Sequence, residues 1–192
     1  PTDRQVYVNH KNGKTERLTD AEGWNSALFS GDYQYFINTW SDYNTPYVYT
    51  TRTRAGKVIS TLQDNSQLRQ TIKEYGFCKR EAFSFTTSEG VTLNGWMLRP
   101  LDFDASKRYP VIMHQYSGPG SQQVKNAWSA GSMGQGGAYD SYLAQQGFIV
   151  VSVDGRGTGG RGAEFEKCTY LNLGDLESRD QVETALYLGT LP

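Results

Sequence analysis

Histidine is scarce, with two in 192 residues, and no Gly-x-Ser-x-Gly pentapeptide occurs anywhere. That pentapeptide is the sharp strand-to-helix turn that exposes a serine nucleophile. A self-contained nucleophile–base pair of that kind is therefore excluded. Cysteine is equally scarce. Cys78 and Cys168 lie far apart, show no metal-ligand spacing and read as two small buried or half-buried thiols. A disulfide between them would need a geometry that sequence does not supply, so the redox compartment stays open. Charge of one sign is also lacking: 19 basic and 20 acidic residues leave a net charge of −1. That balance excludes a nucleic-acid binder held by bulk charge. The longest apolar run, Phe148 to Val153, is far too short to cross a bilayer. No leader pattern precedes the first strand, and the chain begins at Pro1, so it reads as processed or excised.

Rings are abundant. Aromatic residues make up 13% of the chain, 13 of them tyrosine, which argues against disorder and favours strands over helices. Residues 1–65 read as all-β. Arg4 to His10 alternates and reaches Asn12-Gly13, a hairpin signal. Gly31-Asp32 begins a turn before Tyr33 to Trp40, and Ala55-Gly56-Lys57 joins Tyr47 to Arg54 with Val58 to Leu62. Such closely spaced turns predict a meander sheet that cannot bury both its faces alone. Residues 66–81 read as a linker containing a short helix, with an N-cap within Asp64-Asn65-Ser66 and an apolar pair at Leu68 and Ile72.

From Ala82 the pattern changes. Ala82 to Thr87 and Val91 to Leu98 flank Ser88-Glu89-Gly90 as an antiparallel hairpin. Val111-Ile112-Met113 predicts a strand covered on both faces, which breaks into Ser117-Gly118-Pro119-Gly120 with Tyr116 at the junction. Ala138 to Gln146 predicts a helix stopped by Gly147, and Phe148 to Val153 the next buried strand. Together they make a βαβ unit. A second helix is expected from Leu176 to Leu188, with Leu176, Val182, Ala185, Leu186 and Tyr187 as its apolar residues.

Two stretches could carry chemistry. At Tyr116-Ser117-Gly118-Pro119 the phenol and nearby N–H groups could face a developing negative charge, or the tyrosine could simply pack on its loop. The residues alone leave these two open. Gly155, Gly157 and Gly160 satisfy G-x-G-x-x-G after a strand. A dinucleotide site needs an amphipathic helix directly after the glycines, and Ala163 to Gly174 shows no helical stripe. The glycines read instead as a sharp turn, with Asp154 and Arg156 fixing it through hydrogen bonds. His114, two residues before Tyr116, reads as structural, and His10 as a solvated turn residue. No cofactor or metal is expected.

With these residues in view, the chain resembles the dipeptidyl peptidase IV subfamily of the prolyl oligopeptidase family of serine peptidases. The resemblance rests on Tyr109-Pro110, Tyr116-Ser-Gly-Pro-Gly-Ser-Gln122, Asn126-Ala-Trp128, Phe148 to Gly157, Leu173-Gly174-Asp175 and Asp180-Gln181. It implies that residues 1–65 are the last blade of a β-propeller and that residues 82–192 are the N-terminal part of an α/β-hydrolase domain, cut before the nucleophile elbow. By the same resemblance Tyr116 is an oxyanion-hole donor, the intact protein releases dipeptides with Pro or Ala at the second position, and the slice alone is inactive. Its partner is a peptide substrate, its assembly a homodimer, and its place periplasmic, extracellular or membrane-anchored. The alternatives are a non-catalytic propeller and hydrolase shell, or a sister peptidase that releases tripeptides or acylated residues.

Overall fold

The computed structural model describes residues 1–191. The chain divides into two compact units, residues 1–75 with 125–128, and residues 76–124 with the segment from 129 onward.

The first unit opens with the hairpin β1 (Tyr7–Asn9) and β2 (Thr15–Arg17), turned at Gly13 with φ of 82°. Only glycine reaches that conformation at no steric cost, which is why the Asn-Gly signal located it. Four strands then form an antiparallel meander in sequence order: β3 (Trp24–Phe29), β4 (Tyr35–Ser41), β5 (Val48–Thr53) and β6 (Val58–Gln63). β3 was not expected, because Asn25 and Ser26 interrupt its apolar pattern. Asn25 is nevertheless fully buried, and its Oδ1 accepts from Asn38 Nδ2 at 3.0 Å across the sheet. Asn25 Nδ2 in turn donates to the Arg4 and Ala21 carbonyls, so this amide is buried with partners for both its oxygen and its nitrogen. β6 is exposed along its whole length, with Val58, Ile59 and Leu62 uncovered.

α1 (Ser66–Glu74) follows, preceded by a turn in which Asp64 Oδ1 accepts from Ser66 N at 2.9 Å. Asn65 itself makes no side-chain cap and bonds the Tyr47 carbonyl. Lys125–Trp128 returns to this unit: Asn126 Oδ1 accepts from Tyr43 N at 3.0 Å and its Nδ2 donates to Asp3 at 2.8 Å. The sequence reading did not separate that four-residue return.

The second unit holds a mixed sheet. β7 (Arg80–Thr86) and β8 (Thr92–Leu98) form the expected hairpin. β9 (Val111–Met113) and β10 (Ile149–Asp154) are parallel, and the order across the sheet is β7-β8-β10-β9. The crossover from β9 to β10 carries α2 (Ala138–Gln145), ended by Gly147 with φ of 89°. α3 (Ala163–Lys167) and α4 (Asp175–Leu188) follow.

Period-two alternation sorts the sheet's faces. Leu93, Met97, Val151, Val153 and Phe85 form one core cluster, closed by Tyr187 of α4, whose ring stacks on Phe85 at 4.5 Å. Burying each of these side chains contributes about 1.5–3 kcal/mol. Trp96, Leu98 and Val150 point to the opposite face and are also buried. There Arg80 lies 3.9 Å over the Trp96 ring and pairs with fully buried Asp140 of α2 at 3.1 Å. Arg80 also donates to the Ala130 carbonyl and to Ser132 Oγ, so the pair ties the loop after residue 129 to the sheet.

Gly95 sits in the first cluster, where a Cβ would overlap the Phe83 ring and Val153 Cγ2. Gly95→Ala is expected to destabilise the unit by about 1–3 kcal/mol through overpacking. A lower denaturant midpoint checks this, and an unchanged midpoint refutes it.

Three expectations are corrected. β9 is not covered on both faces: Val111 is 42% exposed, because β9 is the edge strand among the described residues. α4 runs over the expected residues, but only part of its apolar set is covered, Tyr187 among it. Val182 and Leu186 are 60% and 65% exposed, while Glu177, Asp180 and Thr184 are buried. The thiols differ too. Both are free, and Cys168 is exposed while Cys78 is buried. Burial pushes the Cys78 thiol above its usual pKa.

Candidate active-site loop

β9 ends at Met113, and its parallel ladder continues for one bond, from His114 N to the Val151 carbonyl at 2.8 Å. His114 is thus held by its backbone as part of the strand end. His10 pairs with Glu16 at 3.1 Å on the β1–β2 hairpin. Tyr116 follows two residues after His114 and is 71% exposed. Of the two readings left open by its sequence, packing on the loop holds for one face only. A Cβ at Gly118 would overlap the Tyr116 ring, so the loop folds against the ring, yet most of the ring remains accessible.

The backbone explains this display. Ser117 adopts a left-handed conformation with φ of 56°, uncommon for a residue with a Cβ. Strain of this kind persists only where surrounding contacts over-determine it. Here Gln181 Nε2 donates to Ser117 Oγ at 3.3 Å and to the Val153 carbonyl at 3.2 Å. Gly118 to Ser121 then forms a tight turn: Ser121 N and Oγ both donate to the Gly118 carbonyl, at 3.1 and 2.6 Å. Proline at the second position and Gly120 at the third, with φ of 72°, suit a type II turn.

The far end of the loop is fixed to β10. The buried Asp154 carboxylate accepts from Gln123 N at 2.9 Å and from Val124 N at 2.8 Å. The glycine segment lies alongside, with Gly159 N donating to the Ser121 carbonyl at 2.7 Å. Gly157 N donates to Phe165 O at 3.0 Å and Thr158 N to Gly155 O at 3.3 Å. These N–H groups are used within the protein and cannot cradle a pyrophosphate. A helix does begin at Ala163, contrary to expectation, but α3 has five residues and carries Glu164 and Glu166 in its first turn, which disfavours an anion there. The dinucleotide reading fails on hydrogen bonding as well as on length.

Arg156 anchors the same turn to α4. Its guanidinium meets Asp180 at 2.7 Å and Glu89 at 2.6 Å, and its backbone N donates to Asp180 Oδ2 at 2.6 Å. Hydrogen bonding to Asp180 raises the arginine's pKa above its ordinary value, with Glu89 adding to it against the opposing effect of burial. Hydrogen bonding to Arg156 in turn lowers the pKa of Glu89. Arg156 therefore fixes the turn as expected, whereas Asp154, at the end of β10, holds the far end of the Tyr116 loop instead. Gln181 is the residue the sequence did not reveal as part of this site. Its position beside Asp180 on α4 was the one available signal. Among the described residues no group of three or more His, Cys, Asp or Glu is placed to hold a metal ion. Nor is any helix among them long and apolar enough to cross a membrane.

The arrangement can present one phenol, on a strained and tightly anchored loop, to a ligand outside the sheet. Comparison with known proteins gives that loop a setting. Residues 138–191 match the model of the prolyl oligopeptidase family. Dipeptidyl peptidase 4 of Trichophyton rubrum is 33% identical over 192 residues, covering 96% of this chain and 24% of that protein. Dipeptidyl-aminopeptidase B of Aspergillus niger is 33% identical over 198 residues, covering 100% of this chain and 21% of its own length. The crystal structure of Porphyromonas gingivalis dipeptidyl peptidase 4 superposes with a TM-score of 0.91 at 44% identity, over 100% of this chain and 26% of that one. The chain thus spans about a quarter of the length of the relatives it matches.

Proposed function

From a chain that is a dipeptidyl peptidase IV-like slice of the prolyl oligopeptidase family, we propose that the intact protein is a serine-type dipeptidyl peptidase cleaving after Pro or Ala at the second position. The observation that carries the reading is the whole-chain likeness to a dipeptidyl peptidase 4 structure. The local geometry supports it. The second unit's order β7-β8-β10-β9, with β9 followed by a loop and then α2, suits the opening of an α/β-hydrolase domain. In that fold one oxyanion donor comes from the loop between the third strand and the first helix. Tyr116 lies between β9 and α2, which this reading takes as that loop. The four-stranded meander of the first unit suits a propeller blade.

In this reading a serine outside these 192 residues attacks the substrate carbonyl, and collapse of the tetrahedral intermediate breaks the C–N bond, releases the protonated amine and leaves an acyl-enzyme. The negative charge that develops on the carbonyl oxygen is met by the Tyr116 O–H and by a backbone N–H beside the nucleophile. The phenol donates without giving up its proton. Water then releases the dipeptide by the same route in reverse.

The test is hydrolysis by the intact protein of Xaa-Pro and Xaa-Ala chromogenic amides, set beside tripeptide and N-acylated amides. Release from the two dipeptide amides, abolished when the amino terminus is acetylated, is the expected result. Turnover confined to the tripeptide or acylated substrates overturns the dipeptidyl assignment.

A further inference from the structure

The residue that aims Tyr116 is not in its own loop. Ser117 holds a φ of 56° that a serine does not choose freely. Its Oγ accepts from Gln181 Nε2 at 3.3 Å, and the same nitrogen donates to the Val153 carbonyl at 3.2 Å. A carbonyl can only accept, so the Val153 bond fixes which way round the amide sits. The glutamine is placed by its own helix as well. Its neighbour Asp180 is fully buried and clamped to Arg156, which sets the register of α4 against β10. Gln181 Oε1 is buried without a partner among the described residues, a cost the position bears while the amide N–H groups serve the loop. Beyond Ser117 the chain returns at once under the tyrosine ring through Gly118. Any rotation of Ser117 therefore moves the ring.

We propose that Gln181 is a positioning residue for the proposed reaction, holding Ser117 in its left-handed conformation and so directing the Tyr116 hydroxyl at the oxyanion. This rests on the oxyanion role of Tyr116. Gln181 touches no reacting atom. It acts through the loop, and its loss lets the phenol sample directions that do not meet the developing charge, lowering the rate of chemistry without weakening substrate binding.

The experiment is a double-mutant cycle in the intact protein, with kcat and KM measured for Gln181→Ala, Tyr116→Phe and the double variant. Gln181→Ala is expected to lower kcat about tenfold with KM within about twofold. In the Tyr116→Phe background the same change is expected to lower kcat by less than about twofold, because there is no hydroxyl left to misdirect. An equal loss in both backgrounds shows a general structural role and overturns the proposal, as does a loss below about twofold in the wild-type background. Near-wild-type turnover of Tyr116→Phe alone overturns the oxyanion reading itself, and this inference with it. Where Gln181→Ala does not fold, Ser117→Ala takes its place in the cycle. Alanine keeps the Cβ and with it the strain at that φ, removes only the Oγ acceptor and leaves the Gln181–Val153 bond intact. The same pattern of coupled kcat loss is expected, and an additive pattern overturns the proposal.

Discussion

Replacing Tyr116 by phenylalanine in the intact protein is expected to lower kcat about 10²–10³-fold while KM stays within a few-fold. The expected cost is about 3–4 kcal/mol of transition-state stabilisation, the range found when one oxyanion donor is removed. The split between kcat and KM follows from where the hydroxyl acts. The ground-state carbonyl is a weak acceptor, and the tetrahedral oxygen carries most of a negative charge. A donor aimed at the latter is worth far more in the transition state than in the complex. The substitution is conservative for the fold. Phenylalanine keeps the ring against which Gly118 packs, and the ring's large exposure means that no buried hydrogen bond is lost with the oxygen. Thermal stability should therefore be unchanged, which separates a chemical defect from a folding defect. Steady-state kinetics on an Xaa-Pro amide decide the matter. Turnover close to wild type would sink the oxyanion assignment, and a raised KM at unchanged kcat would make Tyr116 a binding residue instead.

Much of the local structure around this loop could be read from residue order. Asn12-Gly13, Ser88-Glu89-Gly90 and Gly147 each mark a real turn or helix stop, because glycine's freedom at positive φ is a local property. β10 was legible for a similar reason: a β-branched run of that length, covered on both faces, has few other uses. What escaped depends on partners distant in sequence. β3 hides because Asn25 looks unfit for a buried strand until its partners, Asn38 on β4 and the carbonyls of Arg4 and Ala21, are in place. The exposure of β9 is set by its place at the sheet edge, which periodicity does not encode. The loop itself was legible as a loop, and Tyr116 as its tip. Its anchors were only half legible. Asp154 follows directly from its place at the end of β10, whereas Gln181 reaches Ser117 across 64 residues of sequence.

α4 is the instructive failure, and it yields the other large effect. Of its apolar residues Val182 and Leu186 are exposed and Tyr187 packs on Phe85, while Glu177, Asp180 and Thr184 are buried. The reason is the glycine turn after β10. Close approach at Gly155 is possible because glycine has no Cβ, which would otherwise lie 3.0 Å from Asp180 Cβ. That approach lets Asp180 take three bonds from Arg156 through its guanidinium and one through its backbone N. Thr184 Oγ1 donates to the Asp180 carbonyl at 2.7 Å, and Glu177 accepts from Gly174 N at 2.9 Å at the helix start. Each of these three side chains has a partner, which is what makes its burial tolerable.

Asp180→Ala is therefore expected to destabilise the intact protein by about 3 kcal/mol, the lower end of the cost of breaking a buried ion pair. The lower end applies because Arg156 keeps Glu89 as a partner, at 2.6 Å and closer to solvent. The Arg156 backbone N–H, by contrast, loses its acceptor altogether. Two controls give the number meaning. Glu89→Ala should leave the denaturation midpoint close to wild type, since its pair is partly exposed. Arg156→Met combined with Asp180→Leu should recover part of the loss, because two apolar groups leave no unpaired charge behind. Urea denaturation followed by tryptophan fluorescence measures all three variants. A double variant less stable than Asp180→Ala would mean that the pair contributes net binding between helix and turn, beyond the penalty of stranding one partner. An Asp180→Ala midpoint equal to wild type would show that α4 is held by Tyr187 on Phe85 and not by its carboxylate.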